Sequence, residues 1–149
     1  MAAPQFSAPG SVSHSRPKRR FTLAEANRAL PLVQRIVNDI VKTHALATRL
    51  QKEVERQSSA KHQQQQQQAS IQGQLDACTN KLEDFVDELS EIGCELKDYQ
   101  AGLIDFVGRH EGRDVYLCWK LGEDRIMHWH ELDSGFAGRQ PVGKLHETK

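Results

Sequence analysis

Residues 71–98 read IQGQLDACTNKLEDFVDELSEIGCELKD, and the apolar period changes within this stretch at Gly93. Before Gly93 the apolar side chains recur in steps of four and three, which is the pattern of a coiled-coil seam. These side chains are Ile71, Leu75, Cys78, Leu82, Phe85, Leu89 and Ile92. Glycine favours the end of a helix, and from Cys94 onward a period close to 2 is typical of β-strands. The stretch therefore predicts an α+β protein in which a helical part precedes a sheet.

A second helical pattern lies upstream of this stretch. Thr22 is followed three residues later by Glu25, which is the spacing of a capping box at the start of a helix. Pro31 clashes inside a continuous helix, so we expect a short helix to end just before it and a long one to follow. Residues 31–57 and 70–92 have similar lengths as helices, and they are predicted to form a long antiparallel helical hairpin.

Three segments lack an apolar period. Residues 1–20 are rich in serine, proline and alanine and close with RPKRR, which predicts a disordered basic tail with only weak, salt-sensitive affinity for nucleic acid. The connector at about 57–70 contains six consecutive glutamines and is expected to be a polar, solvated segment. Residues 144–149 are expected to be a disordered C-terminus. This leaves residues 21–143 as a single α+β domain.

Composition excludes several classes of protein. Lys+Arg and Asp+Glu both total 20 in a chain of 149 residues, so the formal net charge is zero and a dedicated nucleic-acid binder is disfavoured. The 3 cysteines are widely spaced and form no C-x-x-C pair, which argues against a disulfide framework or a zinc finger. No segment resembles a signal peptide or a membrane span. We therefore expect a cytoplasmic protein with no membrane partner.

From Cys94 onward, short apolar runs alternate with turn residues, which predicts a small three- or four-stranded antiparallel sheet. The triplet HEG at 110–112 suits a three-residue hairpin loop, and GEDR at 122–125 suits the next turn. The register that follows from these two loops pairs Asp105 with Leu117, Leu117 with His130, and Trp119 with His128. Val107 is expected to oppose Val115.

This register suggests a metal site on one face of the sheet. Asp105, His128 and His130 share a face, whereas Cys118 points to the other. Two histidines at a spacing of two on a strand can chelate a metal through ring nitrogens, and Asp105 or Glu123 can supply an oxygen. The alternative is that one histidine packs on a tryptophan and the other forms a hydrogen bond at the sheet edge. A shift of one residue would instead place Cys118 opposite a histidine.

The segment GFAGRQP is a candidate anion site. Arg139 can hold a phosphate or carboxylate through two parallel hydrogen bonds, and Gly135 and Gly138 would let the backbone approach the ligand. An enzyme with Cys118 as nucleophile is the weakest alternative, because a thiol within an apolar strand is expected to be buried and unreactive. The sequence assigns no catalytic residue and no cofactor, and it leaves open whether the protein is an enzyme.

The apolar seam and the two apolar sheet faces favour a protein-binding or self-assembly module. A hairpin of two helices leaves apolar surface that usually calls for a partner, so we expect a homo-oligomer or a protein partner. The alternative function is a protein, possibly enzymatic, that binds a metal or a small anion around Asp105, His128, His130 and Arg139.

Several short segments carry a resemblance to a known family. FTLAEANRALPLV lies near the start, and GLIDF, LCWKLGE, WHE and GFAGR follow one another in order in the C-terminal part. Together they resemble the domain-of-unknown-function family numbered 2203, which is found in prokaryotes. The likeness covers about residues 21–56 and 72–142, and the glutamine run and basic tail look like additions. The resemblance implies a small cytoplasmic protein and assigns no activity.

Overall fold

The structure, a computed structural model, describes residues 19–58 and 65–147, in which two helices are followed by one antiparallel sheet. Helix α1 spans Leu23–Ser58 and helix α2 spans Gln65–Ile92. The strands are β1 (Cys94–Asp98), β2 (Leu103–His110), β3 (Arg113–Lys120), β4 (His128–Glu131) and β5 (Gln140–Pro141), and each pairs with the next. The predicted α+β class is confirmed, with five strands instead of three or four. The expectations for residues 1–18, for the middle of the glutamine-rich connector and for the last two residues lie outside the described chain.

Helix α1 begins at the predicted capping box but does not break where a break was expected. The Glu25 N–H donates to Thr22 Oγ1 at 3.1 Å, and the Thr22 N–H donates to Glu25 Oε1 at 2.9 Å. The predicted end of a short helix before Pro31 is wrong, because α1 continues through the proline. Burial of one continuous apolar stripe offsets the hydrogen bond that the proline removes. The buried residues on both sides of it include Ala26, Leu30, Val33 and Val37.

Replacing Pro31 with alanine is expected to stabilise the protein. Pro31 is exposed inside α1, and proline is about 3 kcal/mol less favourable than alanine within a helix. We expect Pro31→Ala to raise the free energy of unfolding by about 1–3 kcal/mol in urea titrations. Gln34→Ala, at another exposed position of α1, is the matched control and should change it by less than about 0.5 kcal/mol. No gain from Pro31→Ala would show that α1 is interrupted at this residue.

The core lies between the helices and one face of the sheet. Large side chains of that face are buried against the apolar stripes of α1 and α2, and none of the largest is more than 2% exposed. From the sheet they include Leu96, Ile104, Phe106, Leu117, Trp119 and Trp129, and from the helices Val33, Val37, Ile40, Leu82 and Leu89. The three cysteines are buried and form no disulfide.

The β2–β3 hairpin is shifted by one residue from the predicted register. Its loop contains only Glu111 and Gly112, and His110 pairs with Arg113. Glu111 has φ 50° and Gly112 has φ 82°. Two positive φ values give a tight turn whose twist matches that of the flanking strands, so the two-residue loop is favoured over the three-residue loop that we expected.

The β3–β4 hairpin is shifted by one residue as well, because its connection is longer than predicted. Residues 121–127 form this connection, and Cys118 pairs with His128. The Trp119 side-chain N–H donates to the Glu123 carbonyl at 2.9 Å, and the Lys120 N–H donates to Glu123 Oε1 at 2.8 Å. These hydrogen bonds close a turn directly after β3, so β4 begins later in the sequence than predicted. The predicted register of both hairpins is therefore wrong by one residue.

Both ends of the described chain contact the domain. Arg20 Nε lies 2.8 Å from Asp114 Oδ1 in an exposed ion pair. Leu145 packs against the core, and the His146 N–H donates to His110 Nδ1 at 3.0 Å. These residues belong to the segments that the sequence suggested as disordered tails.

Candidate functional site

Alternation along the strands places ionisable side chains on the face of the sheet that is directed away from the core, here called the outer face. Opposed residues of an antiparallel pair share a face. One row across the strands consists of Glu95, Asp105, Cys118 and His128, and a neighbouring row consists of Val107, Tyr116 and His130. Cys118 therefore shares a face with Asp105 and both histidines. The expectation that it points to the opposite face is wrong, because both hairpin registers differ by one residue.

Asp105, Cys118 and His130 form a compact buried cluster on the outer face. Their exposed fractions are 2%, 0% and 2%, respectively. Each offers one atom that can bind a metal, and these atoms all lie within 4.8 Å of one another. His130 Nε2 is 3.2 Å from both carboxylate oxygens of Asp105. An oxygen, a sulfur and a nitrogen from three adjacent strands thus meet at one point.

The two ring nitrogens of His130 both face oxygen atoms that can only accept hydrogen bonds. Nδ1 lies 2.7 Å from the carbonyl oxygen of Glu131, so this nitrogen carries a proton. Nε2 faces the Asp105 carboxylate, which is also an acceptor when ionised. The position between His130 and Asp105 therefore favours a cation, either a second proton on the ring or a metal ion.

The pKa of His130 is raised above its ordinary value of 6.5. Burial is the largest effect and lowers this pKa, because it disfavours the charged ring. The hydrogen bonds to Asp105 and to the Glu131 carbonyl, together with the charge of Asp105, outweigh burial. In the absence of metal, the imidazolium form is thus stabilised by folding.

This shift predicts how metal-free protein responds to pH. A pKa that is higher in the folded state gives stability that is fully present below pH 6.5 and is lost as the pH rises through the folded pKa. We expect the free energy of unfolding of the wild type to fall relative to that of His130→Gln over this range, in urea titrations with a chelator present. If the free energy of unfolding of the wild type minus that of His130→Gln stays constant or grows with pH, the pKa of His130 is not raised.

The Cys118 thiol is protonated at neutral pH in this environment. Its pKa is raised to about 12, first by burial and then by the nearby Asp105 carboxylate, while Arg139 acts in the opposite direction. The thiolate is the reactive form of cysteine, so the described structure provides no activated nucleophile at Cys118. A bound metal would change this, because metals bind the thiolate and displace the proton.

Arg139 joins the β3–β4 connection to the segment before β5. Its Nη2 donates to Glu123 Oε1 at 2.6 Å, and the same nitrogen lies 3.4 Å from the Cys118 carbonyl oxygen. His128 Nδ1 is 3.8 Å from the other carboxylate oxygen of Glu123. Burial raises the pKa of Glu123, but the bonds from Arg139 and the Lys120 N–H outweigh it and lower this pKa overall. Glu123 is therefore an ionised neighbour of the cluster.

The two glycines of the predicted anion site shape the loop around Arg139. Gly135 has φ 65° and ψ −168°, a conformation essentially restricted to glycine. A Cβ on Gly138 would lie 2.6 Å from Ser134 Oγ, so a side chain there would require Ser134 to shift. Phe136–Gly138 forms a short 3-10 helix. The observed partner of Arg139 is the Glu123 carboxylate, and an external anion at this residue stays a prediction.

The fold and the outer face define a small α+β protein with a buried Asp/Cys/His cluster. Residues 19–142 match the model of the family described as Uncharacterized conserved protein (DUF2203), and the chain belongs to this family. The family resemblance noted in the sequence is thereby confirmed. Neither the curated proteins nor the solved structures contain a match to the chain. Among the described residues, neither helix combines the length and the apolar character needed to cross a membrane.

Proposed function

We propose that this protein binds a divalent transition metal ion, best matched by zinc, through Asp105, Cys118 and His130. The observation that carries the proposal is that three buried donor atoms of different kinds lie within 4.8 Å of one another. Zinc is bound in proteins by cysteine sulfur, histidine nitrogen and carboxylate oxygen. Calcium and magnesium prefer sites made of oxygen alone, so this donor set disfavours them.

The distances within the cluster support the proposal. Two ligands that are each about 2.0 Å from a tetrahedral zinc lie roughly 3.3 Å apart. The Asp105 oxygens and His130 Nε2 are 3.2 Å apart. A cysteine sulfur about 2.3 Å from the same ion would lie roughly 3.6 Å from these two ligands, within the limit of the cluster. Small side-chain rotations of Cys118 would therefore complete the three-ligand arrangement.

The surroundings of the ligands also support a metal. Histidines that bind metals usually donate their other ring N–H to a carbonyl or carboxylate, as His130 does to Glu131. The carboxylate of Asp105 and the thiolate of Cys118 would together neutralise the two charges of the ion. Three protein ligands leave a fourth position for water or another ligand. His128, which the sequence suggested as a ligand, lies opposite Cys118 and is the alternative occupant of that position.

Metal analysis of protein prepared without a histidine tag tests this proposal. Protein incubated with zinc and freed of excess metal should contain close to one zinc ion per chain, as measured by inductively coupled plasma mass spectrometry. Cys78→Ser is a matched control, because Cys78 is a buried cysteine in α2 outside the cluster. It should bind zinc like the wild type. A content near zero for both zinc and iron in folded wild-type protein would overturn the proposal.

We also propose that the chain associates with a second copy through the end of the helical hairpin that is far from the sheet. Ala47, Leu75 and Cys78 form a small buried cluster there, and Leu50 packs against it. Among the described residues, this cluster contains none from the sheet and lies between α1 and α2. Leu46, next to it in sequence, is 39% exposed. A layer of two helices usually packs against further apolar surface.

Light scattering of purified protein at tens of micromolar tests the association. The proposal expects the mass of a dimer for the wild type and of a monomer for Leu46→Glu. Leu32→Glu changes another exposed leucine of α1 and should remain dimeric. A strictly monomeric wild type would contradict self-association.

A further inference from the structure

We propose that a carboxylate-binding subsite lies beside the metal cluster, where Arg139 Nε and His128 Nδ1 donate hydrogen bonds to a small monocarboxylate. The inference rests on the proposed metal site for the metal's fourth position, which the bound carboxylate would approach. Its two hydrogen-bond donors, however, belong to side chains outside the three metal ligands, so the subsite can be tested separately.

Two buried nitrogen atoms next to the cluster lack hydrogen-bond partners. Arg139 Nε and His128 Nδ1 are buried, and neither forms a hydrogen bond with a described residue, although His128 Nδ1 lies 3.8 Å from Glu123 Oε2. Buried polar atoms are almost always satisfied by protein, ligand or ordered water. Both atoms can donate, Nε because it always carries a proton and Nδ1 in the appropriate tautomer. A ligand that supplies acceptor oxygens would satisfy both donors.

The two side chains approach different oxygens of one carboxylate. Arg139 Nη2 is 2.6 Å from Glu123 Oε1, and His128 Nδ1 is 3.8 Å from Glu123 Oε2. Arg139 also approaches the cluster itself, since its Nη2 is 3.4 Å from the Cys118 carbonyl oxygen. His128 pairs with Cys118 across β3 and β4. Both donors therefore border the Cys118 side of the proposed metal site.

Charge limits the class of ligand. The side chains of Arg139 and Glu123 are 13% and 19% exposed and already neutralise each other. A zinc ion bound by Asp105 and Cys118 would likewise carry no excess charge. Any added anion is therefore uncompensated here, and a doubly charged phosphate would bring more charge into this partly dry position than a monocarboxylate, which costs more. A carboxylate brings one charge and two acceptor oxygens, one for each donor or one for a donor and one for the metal.

Titration with acetate, followed by nuclear magnetic resonance, tests the subsite. The Arg139 Nε–H and His128 ring signals should shift and saturate as sodium acetate replaces sodium chloride at constant ionic strength. Zinc-loaded and metal-free protein form separate arms. Inorganic phosphate in a third arm should bind at least about tenfold more weakly, because its additional charge is uncompensated.

Two lysine variants make the test specific. Arg139→Lys keeps the positive charge beside Glu123 but removes the Nε–H, and the His128 signals should then report acetate binding weakened by about tenfold or more, as expected for one charged hydrogen bond. Arg109→Lys is the matched control. Arg109 Nε is also buried without a partner, but Arg109 pairs with Asp114, outside the metal cluster. This variant should bind acetate like the wild type.

Each failure has a distinct signature. Equal acetate affinity in the wild type and Arg139→Lys, or no saturation in the wild type, would overturn the subsite. Zinc binding without an acetate response would do the same while leaving the metal site intact. Acetate binding to protein that takes no zinc would support the subsite and reject the metal site. If Arg139→Lys does not fold, His128→Phe removes the other donor, and unchanged acetate affinity in it would overturn the proposal.

Cobalt substitution distinguishes the proposed subsite from a metal site in which His128 is the fourth ligand. Under the proposal, acetate should change the visible spectrum of cobalt-loaded wild type, because the anion approaches the metal's fourth position. A spectrum that is insensitive to acetate but altered by His128→Asn would identify His128 as the fourth ligand and overturn the proposed subsite.

Discussion

Cys118→Ser is expected to weaken zinc binding by about 100-fold or more. Loss of a residue that merely supports a metal ligand typically costs 10–100-fold in affinity, and here a ligand with its negative charge is removed. Serine keeps the size of the side chain but replaces a soft thiolate with a neutral hydroxyl. Competition with a chromophoric chelator at neutral pH measures the change.

The controls separate a lost ligand from a damaged fold. Cys78→Ser, in the helical hairpin, should leave zinc affinity unchanged, and Asp105→Asn should weaken it as Cys118→Ser does. All three proteins are compared only if their far-ultraviolet circular dichroism matches that of the wild type. Wild-type affinity in folded Cys118→Ser would remove the sulfur from the proposed ligand set.

Asp105→Asn is expected to destabilise metal-free protein by about 3–5 kcal/mol. Asp105 and His130 are both buried, with side chains 2% and 3% exposed, and removal of one partner leaves the charge of the other without compensation. Urea unfolding below pH 6.5 with a chelator present measures the effect, because His130 is charged there.

A surface pair provides the comparison for this stability effect. Arg113 and Glu131 form an ion pair whose side chains are 47% and 33% exposed. Arg113→Ala should cost much less than Asp105→Asn, because exposed pairs contribute little. The double variant Asp105→Asn/His130→Gln should be more stable than Asp105→Asn alone, since no buried charge remains in it. Equal costs for Asp105→Asn and Arg113→Ala would show that the buried pair does not carry the expected charge.

Local patterns predicted the elements of the fold well. Thr22 and Glu25 form the expected capping box, and α2 ends at Ile92, directly before Gly93, as its glycine indicated. The switch from helical to strand period at Cys94 coincides with the start of β1. These features depend on interactions between residues a few positions apart, so they can be read from one segment at a time.

Features that depend on distant contacts were not predicted. Pro31 was expected to end a helix, but the core that α1 shares with α2 and the sheet holds the helix together. The predicted site residues Asp105 and His130 do meet, yet Cys118 was assigned to the wrong face. The dipeptide Glu111–Gly112 is the local signal that could have indicated the two-residue turn, because glycine readily takes a positive φ.

By itself, the sequence determined the α+β class and the apolar stripe of α2, and it supplied candidate metal-binding residues, because periodicity and side-chain chemistry are local properties. Only the tertiary structure decided that Cys118 joins Asp105 and His130, and that Arg139 reaches Glu123. Strand register selects which side chains meet, and it depends on turn geometry and packing over the whole sheet. A difference of one residue in each hairpin turned separate candidates into one cluster.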